Sequence, residues 1–379
     1  MTNPLDLPFD ADEMLAGLKP WIETESPTFD AAAVNRMMDI VQYDMAAMGA
    51  RVERIPGRMG LGDSVRAMMP HPRTGQGGIL ILGHLDTVHP IGTLAKLPYR
   101  REGDICYGPG LMDMKGGNYV YLDALRKLFA AGVETPLPVT VLFTPDEEIG
   151  TPLTRALIEE EAKRHKYILV PEPARPDGGA VIGRYAIARF NLQTRGKPSH
   201  AGWALADGRS AIAEMAQKVS EIEGMTSEDC TFSVGVFHAG QWVNCVSSVC
   251  DSEVLTMAKT QDLLDEGVAK MMALNSDTGD VIMEVRRGVT RPVWEPYQPG
   301  TMAMLSLAQE IAGEIGIEIT GSSAGGGSDG NFTGFLGLPT LDSIGVRGKG
   351  LHTLNEHIFV DSLVERAKLA AALYCRLGA

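Results

Sequence analysis

The sequence predicts an α/β fold interrupted by an inserted α+β unit. Short apolar runs at Gly77–Gly83, Val139–Thr144 and Tyr167–Val170 read as buried strands, with helical stretches between them. After about residue 180 the pattern changes to apolar–polar alternation, that of half-exposed strands. Helix and strand of the first kind resume near residue 300. The expected division is residues 1–183 and 293–379 for the main domain and 184–292 for the insertion.

Each element follows from local pattern. Met14, Leu15, Leu18, Trp21 and Ile22 recur at helical spacing, and Val34 to Met48 repeat it, so residues 10–50 are expected to be helical. Helices are also expected over Tyr119–Ala131 and Leu153–His165, between the three buried strands. Such alternation covers a sheet on both faces, and polar residues just past its strand ends fall where these folds bind ligands. In the insertion, Tyr185–Thr194, Phe232–Ala239 and Val249–Lys259 read as strands, Ser210–Glu223 and Gln261–Leu274 as helices. A helix over Thr301–Ile315, a strand within Gly337–Ile344 and a closing helix, Asp361–Leu377, complete the chain.

At 379 residues two domains are expected. The net charge of −14 disfavours nucleic acid and anionic membrane as partners. The first residues, MTNPLDLPFDADEM, carry no basic or apolar segment of a secretory signal, and no window forms a membrane span. Five scattered cysteines form neither a disulfide framework nor a CxxC metal site, so a cytoplasmic location is expected.

Polar residues cluster after the strands. His84 and Asp86 follow the first, two residues apart and on one side of an extended segment, where a carboxylate can orient a metal-bound imidazole; a polar surface turn reads equally well. Asp113 lies in a glycine-rich loop, Gly108 to Gly117, as a carboxylate able to bridge two metal ions or as a helix cap. Asp146, Glu147 and Glu148 follow the second strand and repel one another unless cations sit among them. On an extended segment Glu147 and Glu148 point opposite ways, so that one can ligate while the other acts as a base. Glu172 lies between two prolines, which suits a preset ligand or a surface turn, and His352 follows a glycine-rich turn near the end. Two-metal hydrolases need this inventory, with nitrogen and oxygen donors that suit Zn²⁺.

The stretches GHLDTVHP, GPGLMDMKGG, TPDEEIG, PEP, GKPSHAG, GGGSDG and GLHTLNEH resemble, in order, the motifs of the M20 metallopeptidases. That family includes glutamate carboxypeptidases, acetylornithine deacetylase, succinyl-diaminopimelate desuccinylase and related aminoacylases. The resemblance implies a zinc-peptidase-like α/β/α catalytic domain with an inserted α+β lid that commonly builds a homodimer. It implies two divalent ions, Zn²⁺ or else Co²⁺ or Mn²⁺, with His84 and Glu172 on one, Glu148 and His352 on the other, and Asp113 between them. Glu147 resembles the general base, and Asp86 the partner of His84. His200 resembles the histidine that reaches the partner subunit's active site and stabilises the oxyanion. Arg291, Asn244 and Gly326 match positions that bind the substrate. Several relatives carry Asp-x-Arg where this chain reads Met257-Ala258-Lys259, which leaves specificity for glutamate open.

The expected activity is cleavage of an amide bond in a small peptide or N-acyl amino acid, releasing an amino acid with a free carboxylate. The alternatives are a deacylase of N-acyl amino acids or diamines and a non-catalytic metal-binding relative. The retained Glu147 argues against the last.

Overall fold

A computed structural model describes residues 3–379. The described residues divide into two compact units, one of residues 3–183, Glu295–Ala324 and Ser328–Ala379, the other of Arg184–Trp294 with Gly325–Gly327.

The chain opens with α1 (Ala11–Glu23), α2 (Ala31–Ala47), β1 (Arg51–Ile55), β2 (Ser64–Met68) and β3 (Ile79–His84). It continues through β4 (Arg100–Glu102), β5 (Ile105–Tyr107), α3 (Gly116–Ala130), β6 (Val139–Thr144), α4 (Arg155–Ala162) and β7 (Tyr167–Val170). Next come β8 (Ala180–Arg184), β9 (Ala186–Arg195), α5 (Ala211–Glu223), β10 (Cys230–Ala239), β11 (Val249–Ala258), α6 (Gln261–Met272) and β12 (Ile282–Arg291). The last elements are α7 (Pro299–Glu314), β13 (Gly321–Ala324), α8 (Gly330–Phe335), β14 (Thr340–Asp342), β15 (Gly348–Lys349), β16 (His357–Phe359) and α9 (Asp361–Arg376).

In the first unit an eight-stranded sheet runs β1-β2-β6-β3-β7-β14-β8-β13. Its centre, β6, β3, β7 and β14, is parallel. Alternate residues of one strand serve opposite faces. Ile79 and Ile81 join the core formed with α1, α3 and α9, while Leu80 and Leu82 join Leu142, Ile158 and Phe332 under α4 and α8. A sheet buried on both faces needs continuous apolar strands, which is why these read as unbroken runs. Burying each such side chain contributes about 1.5–3 kcal/mol. Helix starts follow their caps: Asp10 accepts the N–H of Glu13 at 2.8 Å and Asp30 that of Ala33 at 2.9 Å.

In the second unit a four-stranded antiparallel sheet, β10-β11-β9-β12, is covered on one face by α5 and α6. Ala186, Ala188, Phe190 and Leu192 of β9 pack against Met215 and Met271 on that face.

Some strands escape the sequence pattern. The hairpin of β1 and β2 lies at the sheet edge with arginines and a glutamate among its apolar residues, and β12 carries charged residues and an irregular register between Arg287 and Thr290. A small sheet, β15-β16-β5-β4, is made of strands of two or three residues, too short for periodicity to register. Residues 10–50 form two helices rather than one continuous stretch, broken around Pro27.

Candidate metal centre

The parallel strands β6, β3 and β7 lie side by side, so the segments at their carboxyl ends meet. His84 is the last residue of β3, Glu147 and Glu148 follow β6, and Glu172 follows β7. Asp113 comes from the turn before α3 and His352 from the loop between β15 and β16.

Asp113 stands between the two histidines. Its Oδ1 lies 3.2 Å from His84 Nε2 and its Oδ2 3.1 Å from His352 Nε2. Two groups of candidate ligands share it: His84, Asp113 and Glu172, and Asp113, Glu148 and His352, with donor atoms of each group within 4.8 Å of one another. Glu172 Oε1 is 3.7 Å from His84 Nε2, and Glu148 Oε2 is 3.4 Å from His352 Nε2. Glu147 Oε2 lies 3.9 Å from His84 Nε2.

Glu147 and Glu148 occupy a 3₁₀ turn, not the extended segment expected, so strand alternation is not what separates them. The turn itself directs Glu147 toward His84 and Glu148 toward His352. Asp146 faces elsewhere, accepting the N–H groups of Leu153 and Thr154 and the Thr154 hydroxyl. Asp86 is buried behind His84, whose Nδ1 lies 3.0 Å from the Asp86 carbonyl oxygen and 3.4 Å from its Oδ1. The Asp86 carboxylate also accepts the N–H groups of Glu147 and Glu148 and the Thr28 hydroxyl.

The charges are mutually stressed. Burial, with the Asp113 charge added, lifts the Glu172 carboxyl well above the usual range. Burial likewise lifts Glu148 to about 7, against the pull of His352. Burial disfavours a charged His84, yet its hydrogen bonds to Asp113 and Asp86 raise its imidazole well above the usual value. Hydrogen bonds to Asp113 and Glu148 raise His352 to about 10. Despite its own burial, Asp113 is held below the usual range by hydrogen bonds to His352 and His84. Buried carboxylates crowded around two imidazoles fit a pair of divalent cations, and the donor set of nitrogen and oxygen suits Zn²⁺, Co²⁺ or Mn²⁺.

Two supports had no assigned role in the sequence reading. Lys115, buried in the same motif as Asp113, donates from Nζ to the carbonyls of Trp21 and Thr24 and so caps the C-terminus of α1. Asn118 Nδ2 donates to the His84 carbonyl at 2.7 Å. A lysine and an asparagine beside apolar residues of a helix were the available signals.

The remaining expected residues lie on the second unit. His200 is exposed, and its Nδ1 accepts the N–H groups of Gly202 and Trp203, which leaves the ring proton on Nε2. The Ala201 N–H donates to the Asn244 carbonyl at 3.0 Å, so these two segments adjoin. Arg291 ends β12 and is buried beside the glycine loop: a Cβ on Gly327 would stand 2.6 Å from Arg291 Cδ. At Gly326, with φ +82, a Cβ would meet nothing within 4 Å. Lys259 pairs with Asp229 at 2.7 Å and reaches Glu228 at 3.7 Å.

The profile of peptidase family M20/M25/M40 matches residues 80–376. Carboxypeptidase G2 of Pseudomonas sp. (strain RS-16) is 31% identical over 379 residues, covering 96% of this chain and 88% of that protein. Succinyl-diaminopimelate desuccinylase of Azoarcus sp. (strain BH72) is 27% identical over 313 residues, covering 76% and 79%. An M20 family metallo-carboxypeptidase from Sulfolobus solfataricus superimposes with a TM-score of 0.77 over 97% of both chains at 17% identity, a likeness of fold.

Proposed function

The chain belongs to peptidase family M20/M25/M40, and on that footing we propose a two-metal hydrolase that cleaves an amide bond to release an amino acid with a free carboxylate. The observation that carries the reading is Asp113, whose two carboxylate oxygens face His84 and His352 at 3.2 and 3.1 Å. In this reading His84, Asp113 and Glu172 hold one ion, and Asp113, Glu148 and His352 the other. Zn²⁺ is the proposed metal, with Co²⁺ or Mn²⁺ as substitutes. Bound there, the ions supply a water of lowered pKa and a Lewis acid for the substrate carbonyl.

The chain's own residues do the rest. Glu147 takes the proton of the attacking water and passes it to the leaving amine. Asp86 keeps the His84 ring in place and fixes the turn that bears Glu147. His200 Nε2–H donates to the developing oxyanion of the partner subunit's site. Arg291 and the Gly326 loop grip the substrate carboxylate, with Asn244 as a further contact.

The homodimer this requires forms through residues 184–292. Its support is exposed apolar surface on that unit, with Trp203 at 94% and Val243 at 103% exposure. A monomer in sedimentation equilibrium at micromolar concentration would overturn it. Among the described residues no helix is long and apolar enough to cross a membrane. Five free cysteines support a reducing, cytoplasmic location, which an extracellular pool on fractionation would contradict.

The second reading, deacylation of a small N-acyl amino acid or diamine, is favoured by the desuccinylase relative. The pairing of Lys259 with Asp229 and Glu228 gives that residue a structural task and leaves the side-chain preference to other groups. A panel of peptidyl and N-acyl amino acids, assayed with Zn²⁺, Mn²⁺ and Co²⁺ in turn, separates the two. Turnover of peptidyl-glutamates supports the carboxypeptidase, turnover of small N-acyl amino acids or acyl-diamines without turnover of peptidyl substrates supports the deacylase, and turnover of none of these by metal-loaded protein rejects both.

A further inference from the structure

Glu356 is fully buried four residues beyond His352, and its carboxylate is saturated with donors. Oε1 accepts the N–H groups of Met112 at 2.8 Å and Asp113 at 3.1 Å. Oε2 accepts the N–H of Gly110 at 2.9 Å and faces His89 Nε2 at 2.6 Å. A carboxylate offers about four acceptor positions and no donor, so charge and valence both match this nest. The main chain joins in, since the Gly108 N–H reaches the Glu356 carbonyl at 3.3 Å.

Two ligand-bearing segments are thereby tied at one residue. The loop with His352 is itself closed tightly, because a Cβ on Gly350 would stand 2.5 Å from the Asn355 carbonyl oxygen. His352 has φ +60, an uncommon backbone conformation for a side-chain-bearing residue, so its direction depends on how that loop is anchored. The turn with Asp113 contains Gly110, also at positive φ, and its N–H groups at 110, 112 and 113 all point at Glu356. The pairing of β16 with β5 brings the two segments alongside, and the Glu356 carboxylate fastens them.

We propose that Glu356, seated on His89, is a positioning residue that sets the Asp113 carboxylate and the His352 ring at their mutual distance. The inference rests on the two-metal reading and adds a residue that is neither ligand nor base. Glu356→Gln keeps the shape but turns an amide NH₂ toward at least one of the donors, which opens the clamp.

The test uses metal-free full-length protein titrated with Co²⁺, read by calorimetry and by the visible absorption of the bound ion, with the metal-free Tm as a control. Glu356→Gln is expected to weaken Co²⁺ binding about 10–100-fold, as loss of a group supporting metal ligands does, and to change the absorption bands. A role confined to folding would lower the metal-free Tm and leave both the affinity of the folded protein and its spectrum unchanged, which overturns the proposal. His89→Ala removes one donor of four and is expected to weaken binding by less than Glu356→Gln does, the smaller part of the same effect. If Glu356→Gln does not fold, unchanged affinity in His89→Ala overturns the clamp. Wild-type protein that binds fewer than two Co²⁺ rejects the two-metal reading itself, whereas two ions held as tightly by Glu356→Gln as by wild type reject the clamp alone.

Discussion

Asp86 accepts the backbone N–H of Glu147 at 3.2 Å, so the residue set behind the His84 ring also fixes the turn that carries the proposed base. Its other oxygen takes the Glu148 N–H and the Thr28 hydroxyl. Asp86→Asn would place an amide NH₂ against one of these donors. The expected result is a loss of about 10–100-fold in kcat/KM in folded protein. A variant within twofold of wild type would show that Asp86 positions nothing of consequence.

Glu147→Gln is expected to keep two ions while kcat falls by about 10²–10⁴-fold, the range for lost acid–base catalysis. Metal analysis and steady-state kinetics on the same sample decide it. Near-normal kcat in metal-replete Glu147→Gln would assign the base elsewhere.

Metal affinity should climb with pH. In the metal-free centre Glu148 is lifted to about 7 by burial, and His352 to about 10 by its bonds to Asp113 and Glu148. A raised value means a proton held more firmly, and a metal ion needs the site without it. Binding at Asp113, Glu148 and His352 therefore displaces one proton between pH 7 and 10, and affinity rises about tenfold per unit there. Below 7 a second proton, on Glu148, steepens the loss. Calorimetry in buffers of different ionisation enthalpy counts the protons released, and pH-independent affinity from 7 to 9 would refute the coupling.

The apolar strands were legible because burial on both faces demands unbroken runs such as Ile79–Leu82, and the ligands because each follows an apolar strand or a glycine turn. The turn holding Glu147 was not, since a strand continued by one residue and a 3₁₀ turn read alike in sequence. Asp146 stands beside Glu147 and Glu148 in sequence, and only its donors, seven and eight residues on, set it apart from them. Glu356 sat inside a recognised motif without a role, because its donors are 243 or more residues distant in sequence. Only the fold brings them together.

For Arg291, buried against Gly327 at the end of β12, the expected role is the grip on the substrate carboxylate. Hydrogen bonds to charged groups are worth about 1.5–3 kcal/mol each. Arg291→Ala should therefore reduce kcat/KM by about tenfold or more for substrates with a free α-carboxylate and hardly affect their amides. Equal losses on both would make Arg291 a structural residue of the second unit and strengthen the deacylase reading.

The shared carboxylate of Asp113 is the centre of the account, and metal content of the Asp113→Ala protein tests it most directly. After dialysis against metal-free buffer, wild type is expected to retain two ions per chain and Asp113→Ala fewer than one, with turnover abolished in folded protein. Two ions held tightly by Asp113→Ala would contradict the bridging carboxylate and the two-metal hydrolase built on it.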